Sequence, residues 1–478
     1  MTTAEQFQVT SFTAEGFEQF LASRTAEPSW LTDCRRTAWQ QFEQTSWPDR
    51  KLEEWMRSDL RGFKLERFPL PDCTDAPTTG DLNSAGIPQW LAEGVDAAGT
   101  LTTLNGRTLS EQIDEKWASR GVLFGDLSRL ASEHSELVES HLYSVVDATQ
   151  DRFAALHAAT WSGGQLLYVP RGVCVDQPLR IAAGMTEGGC DTGHTLIVIE
   201  EGAEATFLYE SNSDSPNAKG LHLGAVEIMV KPGGHLRYVN LQDWGRGVWH
   251  FAHQRATIDR DASMQWTIAA IGSRFSQVSQ QVSLVGAGAN CQVNGVLFTQ
   301  DHQQLTYNTL QHHQAPNCRS DFLYKAALQD KSRTVWRGMI GVDRTAQKTD
   351  GYQRNDNLLL SDQARADSIP GLEILADDVR CTHGSTSGKV DEELIFYAAE
   401  PWVYSQGSDA DDRHWLLPTD FRSDHHRLCP RSAWSIHRPP SPRIQLVQQP
   451  PLILGLHAVD EATSPVRQPR RTFPSRTN

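Results

Sequence analysis

Cys381-Thr382-His383-Gly384 is the short stretch of this chain best equipped for chemistry. It follows Leu372-Glu373-Ile374-Leu375-Ala376-Asp377-Asp378-Val379-Arg380. On an extended strand, residues i and i+2 share a face, so the Cys381 thiol and the His383 imidazole stand together. Thiolate with imidazole suits zinc or iron. Two donors are half of a closed tetrahedral site, so the others must come from elsewhere in the chain or from a partner. The same pair also reads as a buried free thiol beside a surface histidine. A Cys–His nucleophile is a third reading, but a shared face is not a hydrogen bond, and no third orienting group is identifiable.

Other motifs are weaker. Gly286-Ala287-Gly288-Ala289 resembles the start of a phosphate loop but lacks a third glycine and a following helix, so it reads as a turn between strands. His312 and His313 are adjacent, so on a strand they face opposite ways and cannot easily hold one ion. Asp350, Asp356, Asp362 and Asp367 are spread through the C-terminal half. Such a spread keeps open a calcium-dependent, carbohydrate-active solenoid enzyme. Arg467, Arg470, Arg471 and Arg476 make a basic tail with little aromatic interleaving, which reads as solvated rather than as a nucleic-acid site.

The elements that must position these residues change character along the chain. Residues 1–162 read as mainly helical. Trp30, Cys34, Ala38 and Phe42 recur every four residues, the face of an amphipathic helix ended by Trp47-Pro48. Helical signal returns from His134 to Trp161, and residues 70–90 read as a loop. From Gly163 the texture is short alternating strands: Leu166–Val169, Thr195–Ile199, Glu204–Tyr209, Ala225–Val230, Leu236–Leu241, Met264–Ala269 and Gln292–Phe298. Turns bring Ala203, Gly234, Ala262 and Ala289 into equivalent places, with steps of 31, 28 and 27 residues. Such a period fits a solenoid, a propeller or a sandwich array. Several strands per period with few long loops favour a β-solenoid over residues 163–397, with two to three strands per turn.

Residues 398–478 differ again. They hold 11 of the 23 prolines, no lysine, ten arginines and eight acidic residues. The segment is thus +2, and the remainder carries −17 of the formal −15. Proline runs forbid helix continuation, and this segment reads as a disordered tail.

Composition excludes several classes. The 478 residues are 39% hydrophobic and 22% charged, which fits a globular chain. An acidic balance argues against a chain-wide nucleic-acid footprint. No run approaches the roughly 18 apolar residues of a membrane span. The start MTTAEQFQVTSFTAEGFEQF has neither a basic n-region nor an apolar h-region, and the eight cysteines form no CxxC. A cytoplasmic protein with free thiols is expected.

A longer set of strings carries a resemblance. Lys348-Thr349-Asp350, Gln353 through Asp362, Pro370-Gly371-Leu372-Glu373-Ile374, Ala376-Asp377-Asp378-Val379 and Cys381-Thr382-His383-Gly384-Ser385-Thr386 strongly resemble the SufD branch of the SufB/SufD family, part of the SUF iron–sulfur assembly system. Glu53-Glu54-Trp55, Gly121-Val122-Leu123-Phe124 and Trp161 through Val173 extend the likeness, which covers roughly residues 10–397. The resemblance implies a right-handed parallel β-helix flanked by helical segments. It implies a non-enzymatic scaffold subunit that pairs with SufB and binds the ATPase SufC. It implies that a transient iron–sulfur cluster, and hence iron, is held at the SufB–SufD interface, with His383 and Cys381 the metal ligands to watch. A SufB-like paralogue is the nearest rival, but the N-terminal cysteine cluster usual in SufB is not seen. The likeness ends abruptly at Tyr397, where the family continues into helices that dock SufC. The coincident loss of every lysine reads as a frame shift, with a lineage-specific tail as the alternative; either way SufC binding by this chain is in doubt.

Overall fold

The computed structural model describes residues 11–70, 82, 85–91 and 95–389, together with two short strands in a second unit, Arg413–Asn478. Those two, Ile436–His437 and Gln445–Leu446, pair antiparallel. The expected disorder of residues 398–478 and the reading-frame question otherwise lie outside the described residues, as does most of the expected 70–90 loop.

Among the described residues six α-helices lie in the N-terminal part, with a 3-10 helix at Leu65–Arg67: α1 (Ala14–Ala22), α2 (Ser29–Gln44), α3 (Glu115–Ala118), α4 (Leu127–Glu133), α5 (Ser135–His141) and α6 (Arg152–Thr160). Strands β1 (Gly99–Leu104), β2 (Arg107–Ile113) and β3 (Leu123–Asp126) are interleaved with them. Then come β4 (Gly163–Val169), β5 (Leu179–Met185), β6 (Gly189–Asp191), β7 (Gly193–Ile199), β8 (Glu204–Ser213), β9 (Lys219–Val230) and β10 (His235–Asp243). The C-terminal half adds β11 (Gly247–Ile258), β12 (Ser263–Ala270), β13 (Phe275–Leu284), β14 (Asn290–Thr299) and β15 (Gln304–His313). It ends with β16 (Arg319–Leu328), β17 (Arg333–Val342), β18 (Asp350–Leu359), β19 (Arg365–Ile374) and β20 (Arg380–Lys389).

Successive strands alternate between two sheets. One runs β2-β1-β5-β8-β10-β12-β14-β16-β18-β20, the other β19-β17-β15-β13-β11-β9-β7-β4-β3. Pairing is parallel throughout except for β1–β2 and β3–β4 at the N-terminal end. The fold is therefore a β-solenoid with two strands per turn, and each expected strand falls inside an observed one. The sheets start upstream of Gly163, because β1 pairs with β5 and β3 with β4.

The 27–31-residue steps are the rungs themselves. His235 stands against Glu204 and Ser263, Ser263 against Asn290, and Asn290 against Arg319. At the preceding corner, residues 172, 202, 233, 261, 288, 317 and 348 all have left-handed φ between 56° and 76°. Each donates its N–H to a carbonyl of the next turn, as Gly288 does to Pro316 and Lys348 to Asp378. Here Gly286-Ala287-Gly288-Ala289 is a corner and not a phosphate loop. Gly288 supplies the positive φ, and the Gly286 backbone lies flush against Asp259 and Arg260 of the turn below.

The lumen is a continuous apolar column from Leu179, Ile181 and Phe207 through Trp266, Val293 and Phe322 to Trp336. The helices cover the outer face of the second sheet. Phe153 of α6 stacks on Phe251 of β11 at 3.8 Å, and Trp55 stacks on Phe153 at 5.4 Å. Glu227 of β9, fully buried, ties the chain ahead of α6 to this face. Its carboxylate accepts the backbone N–H groups of Tyr143, Val145 and Val146 at 2.6, 2.8 and 3.0 Å, and His194 Nε2 lies 3.1 Å away.

The expected face of α2 is turned by about one position. Its buried residues are Leu31, Arg35, Ala38, Trp39 and Phe42, and Cys34 is exposed. The reason is Arg35. Its guanidinium is fully buried, bonded twice to Glu27 at 2.8 and 2.9 Å and to the Trp161 carbonyl at 2.9 Å, and it lies over the Trp161 ring. A charged residue thus occupies the centre of a face that apolar periodicity alone would not assign to it.

Candidate functional site

Strand β20 carries both sequence-predicted ligands. Cys381 stands opposite Gly351 of β18 and His383 opposite Gln353. On β18 the buried residues are Gly351, Gln353, Asn355 and Asn357, alternating with more exposed ones. Parallel register keeps ladder partners on one face, so Cys381 and His383 face the lumen. The expectation that they share a face holds, and that face is the inside of the solenoid.

Their surroundings differ. The Cys381 sulfur is half-buried against the small apolar group of Ile340, Val342, Ala346 and Ala376. Burial pushes its thiol above the ordinary range, and the nearby Asp350 adds to this. His383 is exposed. The contrast follows from β20 being terminal: among the described residues no strand pairs with its outer edge or with that of β19. Among the described residues, an inward-facing side chain on this rung has a floor and no ceiling.

The lumen becomes polar at this end. Gln353 donates to the Gly338 and Gly371 carbonyls at 3.2 and 3.1 Å. Asn357 donates to Asn355 at 2.8 Å, and Ser368 donates to the same Asn355 oxygen. Leu372, Ile374 and Leu375 are exposed around β19. Sequence reading missed this polar mouth, although Gln353, Asn355 and Asn357 sit at alternate positions and so mark one strand face.

The remaining candidates separate. His312 faces out and pairs with Asp343 at 3.1 Å, while His313 faces in and lies 2.8 Å from the Ser320 hydroxyl. Burial lowers the His313 pKa to about 4. The aspartates do not converge on a common point: Asp356 pairs with Arg354, Asp362 with Lys389, and Asp367 with Arg333 and Arg365. Among the described residues no group of three or more His, Cys, Asp or Glu is placed to hold a metal ion. Cys381 and His383 are two donors at an open edge.

Comparison with known proteins bears on what such an edge serves. Residues 182–400 match the model for the SufBD core domain of SUF-system FeS cluster assembly, and residues 94–181 match that for the SufBD protein N-terminal region. The chain belongs to the SufB/SufD family. A SufBD family protein of Staphylococcus haemolyticus is 26% identical over 389 residues, covering 80% of this chain and 83% of its own. The corresponding protein of Staphylococcus aureus MRSA252 is 28% identical over 395 residues, with the same coverage. Iron–sulfur cluster assembly protein SufB of Bacillus subtilis is 27% identical over 383 residues, covering 78% and 81%. These relatives carry family-level and SufB names and do not separate the SufB branch from the SufD branch. The family acts in iron–sulfur cluster assembly. No helix among the described residues is long and apolar enough to cross a membrane.

Proposed function

We propose that this chain is a SufD-type scaffold subunit without catalysis of its own, acting in the cytoplasm. Its open solenoid end pairs with SufB, and His383 supplies one ligand to a nascent iron–sulfur cluster that is the cargo of the complex. The observation that carries this reading is the placement of His383: exposed, on the lumen face of the terminal strand, two positions from the Cys381 thiol. Half of a metal site at an uncovered end suits a ligand set completed by a second protein. Cys381 takes a secondary role, because its sulfur packs into an apolar group and burial keeps the thiol protonated at neutral pH. Since residues 398–478 lack the lysines and helix-compatible sequence expected of a docking bundle, SufC is recruited mainly through SufB.

The test is cluster formation in a complex reconstituted from SufB, SufC and this chain. His383→Ala should slow or abolish cluster formation while changing the stability of the isolated chain by no more than ~0.5 kcal/mol, as at other surface positions. Wild-type kinetics from the His383→Ala complex would remove His383 from the ligand set.

A further inference from the structure

Lys348 is the odd member of the left-handed corner column. Every earlier position in that column is glycine, aspartate or asparagine, the types that adopt positive φ readily; Lys348 holds φ 60° with a full side chain. The corner needs only the backbone, since the N–H of Lys348 continues the ladder by bonding to the Asp378 carbonyl at 2.6 Å. Among the described residues Lys348 is exposed and its ammonium has no ion pair or side-chain hydrogen bond. Backbone strain of this kind clusters at residues that work beyond their own turn. Its place narrows what that is. The Lys348 corner is stacked directly on that of Asp378, which leads into β20, so the side chain emerges one rung from the unpaired edges of β19 and β20.

We propose that Lys348 is a partner-contact residue whose ammonium pairs with a carboxylate of the subunit docked on the open end. This rests on reading that end as the SufB-facing surface. The contact is a rim charge, so it sets encounter rate and salt dependence more than total affinity.

The experiment titrates the full chain with SufB and follows urea unfolding of the chain alone, using Lys348→Asn and Lys348→Arg. Asparagine relieves the strain and removes the charge; arginine keeps both. Lys64→Gln, an exposed lysine of the N-terminal layer whose neighbour Leu65 packs with Trp249 and Phe251 of β11, controls for net charge. Lys348→Asn should unfold at higher urea than wild type, yet bind SufB about two- to fivefold more weakly at low salt. That difference should vanish at roughly 1 M salt, where screening acts over about 3 Å. Lys348→Arg and Lys64→Gln should bind like wild type. If Lys348→Asn binds SufB as tightly as wild type at low salt, or unfolds at lower urea, the inference is wrong while the proposed function stands. If the wild-type chain does not bind SufB at all, both fall.

Discussion

Replacing Glu227 should loosen the helical layer from the solenoid in two measurable steps. One carboxylate oxygen accepts from Tyr143 and lies near His194; the other accepts from Val145 and Val146. Glu227→Gln keeps one oxygen. The amide places that oxygen where two N–H groups converge and sets its NH₂ toward His194, so one charged hydrogen bond is lost, and the Tyr143 N–H faces a donor. A hydrogen bond to a charged group is worth about 1.5–3 kcal/mol, so Glu227→Gln should cost about 2–3 kcal/mol. Glu227→Ala strands all three N–H groups. At about 1–3 kcal/mol per buried unsatisfied donor, partly relieved by local movement, the cost should reach about 4–6 kcal/mol. Urea unfolding followed by tryptophan fluorescence measures the total. Hydrogen exchange at residues 143–146 locates it, and protection there should fall before the β9–β11 ladder is affected. Glu227→Gln unfolding within ~0.5 kcal/mol of wild type, or unchanged exchange at 143–146, would refute the anchoring argument.

Two further outcomes follow from other buried ionisable groups. His250 of β11 stacks on His222 of β9 at 4.6 Å, and burial lowers its pKa to about 3. The native state therefore favours the neutral ring, so its contribution is intact above the ordinary value of about 6.5 and is lost as pH falls, at about 1.4 kcal/mol per unit. Between pH 7 and 5 the stability gap between wild type and His250→Asn should narrow by about 2 kcal/mol; a constant gap in denaturant titrations would contradict the assigned burial. Arg35→Met should cost about 2–3 kcal/mol, because Glu27 loses its two hydrogen bonds to Arg35 and keeps only the pair with Arg24 at 2.9 Å; the Arg35→Met, Glu27→Gln double variant should recover part of that loss in thermal melts.

What could be read in the sequence was what small residues and period-2 spacing enforce. The corners were legible because Ala203, Gly234, Ala262 and Ala289 must be small where turns stack, and the pairing of Cys381 with His383 was legible because two residues apart on a strand means one face. Strands β11 and β13 were not, since Gln254, Arg255, Gln277 and Gln280 are buried and blur the alternation of apolar and polar residues. Nor was the direction of the Cys381–His383 face. Whether a strand face looks into the lumen or out of it depends on the opposite sheet, and whether the lumen is closed depends on a following rung. Arg35 misled for a related reason: its partner Glu27 precedes the helix, outside the helical repeat.

The solenoid also works as a ruler. Seven ladder steps separate β5 from β20, which at ~4.8 Å per step sets the terminal rung about 34 Å from the first long turn. That length is quantised. Adding or removing one whole turn of about 30 residues would move the His383 edge by one step relative to the helical layer and leave every remaining rung in register. A change of only a few residues would throw the corner column out of line instead. A family built this way can adjust the reach between its two ends by copying or deleting turns, without redesigning either end.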